Sequence, residues 1–265
     1  MFDFDRELLR LLPRVLRARE FHLYLEGGKR LTDLWLHGGR AILGHKPPLV
    51  LKELKNAAER GLFSPFPHVM ESRLIKALGE LFPGKAFRLY NTPNALHLAL
   101  EKAKLNESAS LWRPFVEGNE KALTEKAPVF VPVLPLPLGP EVLVLEKNLD
   151  EAFPPGELIP PVLLAAANRA IHNLIAALKA PNYGRQRYRR IEKALASQKE
   201  GAVLWQCNGI YLNKPTVGLL NEYSLLFKRF LEGGFLLPPS PAEPAILPVS
   251  MSDGEEAKLA ELFLT

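Results

Sequence analysis

Apolar side chains recur every three to four residues along several stretches of the chain, a spacing that predicts amphipathic helices. The first stretch has arginines on a second face, which we interpret as solvated, and Pro13 predicts a kink in it. Its apolar stripe consists of Phe4, Leu8, Leu11, Leu12 and Val15. The same spacing predicts helices over residues 48–61, 71–82, 94–106, 161–180, 183–197 and 221–232, and a last one that begins at Asp253.

Strand-like stretches lie between these helices. Residues 86–90 and 141–145 are short and apolar, and residues 202–212 contain a third such stretch. The run from Val129 to Pro140 is interrupted by prolines, which withhold donors from a sheet ladder, so it predicts an edge or connecting strand. Strands that alternate with helices predict an α/β fold.

The composition is that of a globular protein. Of the 265 residues, 47% are hydrophobic and 24% are charged, which is enough apolar material for a sizeable core. The length favours one large domain with a small annex. The formal net charge of +5 suits an anionic ligand but does not require nucleic acid. Charge alone does not identify a partner, and we do not expect nucleic acid to be one.

The proline and cysteine content limits the class of protein further. The chain is proline-rich, with 24 prolines, while its single cysteine, Cys207, excludes an intramolecular disulfide and points to a reducing compartment. The apolar run Ala127 to Pro140 spans 14 residues and contains five prolines, below the roughly 18 to 20 that cross a bilayer. The first twenty residues carry charges throughout, unlike a signal peptide. We therefore expect a cytoplasmic protein without a membrane partner.

Common catalytic motifs are absent from the sequence. The six histidines lack HExxH spacing, and neither a G-x-S-x-G elbow nor a glycine-rich nucleotide loop is present, so no metal site is expected. We interpret His45 as structural and Cys207 as a buried thiol. The arginine run from Arg185 to Arg190 predicts a solvated surface, with an anion or nucleic-acid contact as the alternative.

The stretch from Tyr24 to Gly61 contains Gly27-Gly28, Asp33, Gly38-Gly39 and the turn Leu43–Pro47. These motifs, in this order, resemble class III aminotransferases, which are pyridoxal-phosphate enzymes of fold type I. We expect the glycine pair 38–39 to have a structural role, as a backbone turn or a site of close packing.

The resemblance continues through the rest of the chain. The turn Asn91–Ala95 is similar to the family turn whose backbone amides hold the cofactor phosphate, which implies an anion site with Thr92 and Asn94 at a helix start. Residues 164–167 resemble the family segment after its catalytic lysine. The segment from Phe227 to Thr265 resembles the carboxy-terminal domain of the glutamate-1-semialdehyde aminomutase branch.

This resemblance implies a specific architecture. We expect a reduced fold type I, α/β protein with a central mixed or mostly parallel sheet and a small α+β domain built from both chain ends. The predicted division is an amino-terminal segment at 1–47, a reduced large domain at 48–212 and a carboxy-terminal part at 213–265. Because enzymes of this fold build their sites across a two-fold interface, the resemblance also implies a homodimer.

The family's catalytic groups are missing from the expected interval. An active relative has an aspartate that holds the pyridine nitrogen and a lysine that forms the Schiff base. Here the chain runs from Glu141–Glu146 directly through Lys147 to Glu157 and into the alanine-rich helix. Lys147 is the only lysine in that interval and thus the candidate Schiff-base residue, although its charged surroundings are typical of a solvated lysine at a strand end.

Further positions depart from the family pattern. Glu157 stands where the family has a threonine that reaches the partner's phosphate, and Pro93 replaces a glycine of the phosphate turn. Residues 238–252 contain no arginine to bind a substrate carboxylate. We therefore expect a degenerate homologue without transaminase activity or pyridoxal phosphate, acting as a binding or regulatory protein. The alternative is a small enzyme that uses pyridoxal phosphate or another small anionic ligand in a reduced site.

Overall fold

A computed structural model of the chain describes residues 4–105, 109–117, 126–180, 183, 188–198, 205–214 and 220–264. The chain divides into two compact units, which we call the central unit, Pro47–Lys179, and the terminal unit, Met1–Lys46 with Ala180–Thr265. The terminal unit draws on both chain ends. The predicted division assigned residues 180–212 to the large domain, whereas in the structure they belong to the terminal unit.

Helices and strands alternate along both units. The helices are α1 (Phe4–Leu9), α2 (Val50–Glu59), α3 (Val69–Leu81), α4 (Pro93–Lys102), α5 (Pro161–Lys179), α6 (Arg189–Ala196), α7 (Leu220–Glu232) and α8 (Asp253–Leu264). The strands are β1 (Val15–Arg19), β2 (His22–Leu25), β3 (Arg30–Asp33), β4 (Lys85–Tyr90), β5 (Ser110–Trp112), β6 (Val129–Pro132), β7 (Glu141–Glu146), β8 (Gln206–Asn208), β9 (Tyr211–Asn213), β10 (Phe235–Leu236) and β11 (Ala245–Ile246). Short 3-10 helices lie at Leu36–Gly39 and Lys147–Ala152.

The central unit contains a mixed sheet in the order β4-β7-β6-β5. Strand β7 pairs antiparallel with β4 and with β6, and β6 pairs parallel with β5. The sheet is therefore mixed but not mostly parallel. Because β6 has a partner on each side, the expectation of an edge strand there is wrong; its proline lies at the last position, where it interrupts little of the ladder. Residues 133–140 connect β6 to β7.

Apolar packing on β7 and α5 forms the core of the central unit. Residues 142–145 of β7 are fully buried, and α4 packs against them through Leu96, Ala99 and Leu100. The small side chains of α5, among them Ala165, allow close contact with α2. Among the described residues, α5 is long and apolar enough to cross a membrane, but more than half of it is buried inside the unit.

The described residues of the terminal unit form two sheets. One has the order β1-β2-β3-β10, and in it β10 pairs parallel with β3, so residues near the two ends of the chain lie side by side. The other has the order β11-β9-β8. Aromatic rings of Trp205, Phe230 and Phe263 contact one another beside α7 and α8 and form part of the unit's core.

Two local predictions in the terminal unit are wrong. The first helix ends at Leu9, and Val15 begins a strand, because the β1–β2 hairpin gives this backbone a partner that helical spacing ignores. Cys207 is exposed rather than buried, since it lies on β8 at the edge of its sheet.

The helix predicted over 183–197 is observed over Arg189–Ala196. Half of the arginine run, residues 185–187, lies outside the described residues.

Candidate functional site

The turn before α4 is the part of the central unit that the sequence marked as an anion site. Thr92 is the N-cap of α4, and its hydroxyl accepts a hydrogen bond from the Ala95 N–H at 3.1 Å. Pro93 follows at the first helical position, where its fixed backbone suits the helix but removes a donor. The cap thus satisfies one backbone N–H internally that a phosphate turn would offer to a ligand.

The Glu157 carboxylate lies at this same turn. Its Oε2 accepts a hydrogen bond from the Asn91 N–H at 2.7 Å and another from Asn91 Nδ2 at 3.1 Å. Asn91 Nδ2 also donates to the Leu158 carbonyl at 3.1 Å. A negative side chain of the protein therefore accepts a backbone N–H of the turn that the resemblance assigned to the cofactor phosphate.

Close backbone packing holds Glu157 in place. The Glu157 N–H donates to the Leu89 carbonyl at 2.7 Å, along the open edge of β4. A Cβ on the preceding Gly156 would lie 2.9 Å from both the N and the O of Leu89, so only glycine fits there. The segment 156–157 is thus pressed against β4, and this fixes the backbone from which the Glu157 side chain reaches Asn91.

Charged side chains along β4 are paired. Arg88 binds the Asp150 carboxylate at 2.7 Å, and Lys85 binds the Glu146 carboxylate at 2.5 Å. Burial raises the pKa of Tyr90; the charge of Arg88 opposes this, and that of Glu157 raises the pKa further. The electrostatic influence of Glu157 therefore extends to the end of β4, where it disfavours additional negative charge.

The three residues predicted for a cofactor lie on different elements. Thr92 and Asn94 are exposed at the start of α4, whereas Lys147 is exposed at the beginning of the 3-10 helix after β7. Within the described part of the chain, no hydrogen bond joins Lys147 to either of the other two. Lys147 has neither the enclosure nor the partners by which proteins activate a lysine.

A second polar cluster lies in the terminal unit, around the buried Asp33. Its Oδ1 accepts hydrogen bonds from the backbone N–H groups of Trp35 at 2.8 Å and Leu36 at 2.9 Å. Its Oδ2 lies 2.9 Å from His45 Nε2. His45 thus has the structural contact expected for it. Gly38 and Gly39 have φ of 65° and 97°, values that favour glycine and agree with the turn predicted for this pair.

Sequence reasoning missed two ionisable residues of the terminal unit. Burial lowers the pKa of Lys214, whose Nζ lies 4.0 Å from the centre of the Tyr223 ring; Glu222 opposes the shift. No local motif identifies Lys214. Glu255 accepts hydrogen bonds from His22, Thr32 and Ser252. The spacing Ser252-x-x-Glu255, typical of a capping box, was the sequence signal that could have identified it.

Among the described residues no group of three potential metal ligands occurs.

The whole chain was compared with known proteins. No protein-family model matches it. An uncharacterized protein of Treponema pallidum is 28% identical, with 94% of this chain and 93% of that protein covered. An uncharacterized protein of Borreliella burgdorferi is 25% identical over 95% of this chain and 90% of that protein. These relatives indicate shared ancestry along the full chain but assign no activity.

Solved structures define the class of fold. Ornithine δ-aminotransferase from Plasmodium falciparum superimposes with a TM-score of 0.70, covering 99% of this chain and 96% of that one at 12% identity. An ω-transaminase from Sphaerobacter thermophilus gives a TM-score of 0.67 at 11% identity, with 99% and 95% covered. The chain therefore has the α/β fold of pyridoxal-phosphate-dependent aminotransferases, fold type I. At such identities the likeness concerns the fold alone.

Proposed function

We propose that this protein is a degenerate class III aminotransferase homologue, close to the glutamate-1-semialdehyde aminomutase branch, that lacks transaminase activity and acts as a binding or regulatory protein. It works as a cytoplasmic homodimer. The fold supports the relation to aminotransferases, because it is the fold of the pyridoxal-phosphate-dependent members of that class. The residues at the cofactor turn support the loss of activity, because they do not fit pyridoxal phosphate.

The observation that carries the proposal is the position of Glu157. Its carboxylate accepts the Asn91 N–H at 2.7 Å, at the turn that holds the cofactor phosphate in relatives. A phosphate at this turn would meet a carboxylate instead of a free donor, and two anions in one small site repel strongly. Since Gly156 is pressed against Leu89, the backbone of Glu157 is held beside the turn, where its carboxylate reaches Asn91.

The loss of the catalytic groups supports the same conclusion. Between β7 and α5 the chain has the exposed Lys147 and no glycine-flanked strand bearing a lysine. The interval also has no aspartate positioned after a core strand in the family's Asp-Glu-Val turn; its acidic residues lie in the 3-10 helix Lys147–Ala152 and beyond. Without these groups neither covalent capture of the cofactor nor tuning of its ring is available.

Borohydride trapping tests this proposal. The protein is incubated with equimolar pyridoxal phosphate, reduced with borohydride, digested and mapped by mass spectrometry, with an active ornithine aminotransferase as the positive control. We expect no stoichiometric adduct. A stoichiometric adduct on one lysine would refute the proposal, and its position would identify the alternative: Lys147 would indicate a reduced cofactor site, and Lys214 a site in the terminal unit.

A further inference from the structure

A groove of about 410 Å³ lies within the terminal unit. Its size falls within the range of about 300 to 1,000 Å³ that is typical of small-molecule sites. Apolar side chains form most of its walls, among them Leu12, Val15 and Leu23. Its polar groups are concentrated around Asp33 and His45. An apolar pocket with a few convergent polar groups is the usual form of a small-molecule site.

Asp33 sets the orientation of the His45 ring. Only 3% of the Asp33 side chain is exposed, and its carboxylate, with two backbone N–H groups already on Oδ1, accepts a hydrogen bond from His45 Nε2. Because an ionised carboxylate can only accept, the proton of the neutral ring lies on Nε2. Nδ1 then carries a lone pair, and it has no hydrogen-bond partner among the described residues. His45 lines the groove, and Nδ1 is the ring nitrogen that the contact with Asp33 leaves for a ligand.

The backbone beside His45 is strained. Leu36 and His37 have φ of 46° and 52°, a left-handed conformation that non-glycine residues rarely adopt, and Gly38 and Gly39 continue it. Glu243 helps to hold this turn, since its Oε2 accepts the Trp35 Nε1–H at 2.7 Å. Strain of this kind is found most often at functional sites. Here it positions the rings of Trp35 and His37 on the groove wall.

We propose that this groove binds a small apolar molecule with one O–H donor, a phenol or an alcohol, whose hydroxyl donates to His45 Nδ1. The apolar body packs against Leu12, Val15 and Leu23, and Trp35 provides an aromatic wall. An anion is disfavoured because the buried Asp33 carboxylate lies at the polar end. The inference rests on the proposed binding function and assigns a ligand class to it.

A pair of matched probes tests the contact with His45. We would titrate the full chain at pH 8 with 4-methylphenol and with 4-methylanisole, which has the same ring but no donor, and follow binding by ligand-observed NMR. We expect 4-methylphenol to bind at least about threefold more tightly, as one hydrogen bond predicts. It should also shift the Nδ1 resonance of His45 while Nε2 changes little. Equal affinity for the two probes, or an unchanged Nδ1 resonance, would overturn the proposal.

A second set of variants leaves the Asp33–His45 pair intact. Val15 lines the groove on β1, whereas Leu16 is its neighbour on the strand and is 69% exposed. Because Val15 is part of the groove lining and Leu16 is not, Val15→Trp should block the groove and Leu16→Trp should not. We expect the first variant to lose binding of 4-methylphenol and the second to retain it. Equal loss or equal retention in both would overturn the assignment.

Failure of the ligand proposal and failure of the proposed function can be distinguished. If neither probe binds and Val15→Trp dissociates a dimer, the groove is an interface between copies and the ligand proposal is wrong. Failure of probe binding leaves the borohydride result untouched, so the loss of transaminase activity would stand. Conversely, a stoichiometric lysine adduct would refute the proposed function while the groove still bound 4-methylphenol.

Discussion

At the scale of single residues, Glu255 connects the start of α8 to the first sheet of the terminal unit. Its Oε1 accepts hydrogen bonds from His22 at 2.8 Å and Arg30 at 2.9 Å, and its Oε2 accepts the Ser252 N–H at 2.9 Å. Burial acts to raise the pKa of Glu255, but hydrogen bonds from Ser252, His22 and Thr32 outweigh it and lower the pKa to about 2. The charged form is therefore the stabilising one.

We expect Glu255→Gln to lower the free energy of unfolding at pH 7 by about 1 to 3 kcal/mol, because hydrogen bonds to a charged group are lost. The folded pKa lies below the unfolded value of 4.5, so the stabilisation is complete above pH 4.5 and disappears as the pH falls toward 2. Urea unfolding at several pH values measures this. The difference in free energy of unfolding between wild type and Glu255→Gln should decrease as the pH is lowered. Glu261→Gln, an exposed change on the same helix, should have little effect. A difference that stayed constant down to pH 2 would contradict the assignment.

At the scale of elements, glycines show where backbone packing determines the structure. Gly156 lies against the edge of β4, where a Cβ would come within 2.9 Å of Leu89 backbone atoms, whereas Gly79 lies in α3 with open space around it. We expect Gly156→Ala to destabilise the protein by about 1 to 3 kcal/mol. Gly79→Ala should instead stabilise it by about 0.5 to 1 kcal/mol, because alanine loses less entropy in a helix. Thermal unfolding of the two variants compares them, and similar shifts would show that the edge is not tightly packed.

Local patterns predicted most helices but not the pairing of distant segments. The helices α2, α3, α5, α7 and α8 were predicted close to their observed bounds, because periodicity and caps are local signals. The strand β1 was not predicted, because Val15 also fits the apolar stripe of a helix. Only its pairing with β2 distinguishes the two structures. In the candidate site the helix start after Thr92 was predicted from its turn sequence. The contact between Asn91 and Glu157 was not, because it joins residues that are distant in sequence.

At the scale of the whole molecule, apolar side chains that remain exposed bear on the oligomeric state. Between Leu49 and Val69 the central unit exposes several large ones, including Phe63 at 62% and Phe66 at 55%. Exposed apolar side chains of this size are common at interfaces. They support the proposed homodimer and indicate this region as the contact.

We expect light scattering at micromolar concentration to give twice the chain mass of 29.6 kDa. The double variant Phe63→Ser/Phe66→Ser should shift the protein toward the monomer without loss of helical signal in circular dichroism. Leu225→Ser, which changes an exposed leucine on α7, serves as the control and should leave the dimer intact. A monomeric wild type would refute the dimer, and an unaffected double variant would place its interface elsewhere.

The parallel pairing of β10 with β3 also has a consequence for synthesis on the ribosome. Phe235 pairs with Thr32, so the edge of β3 cannot be covered until nearly the whole chain has been translated. The central unit is one continuous segment and can fold earlier. Throughout that interval the nascent chain carries an open strand edge, which is a site for aggregation. Ribosomes that stall after the central unit should therefore release chains that aggregate through β3, and chaperone demand should fall once β10 emerges.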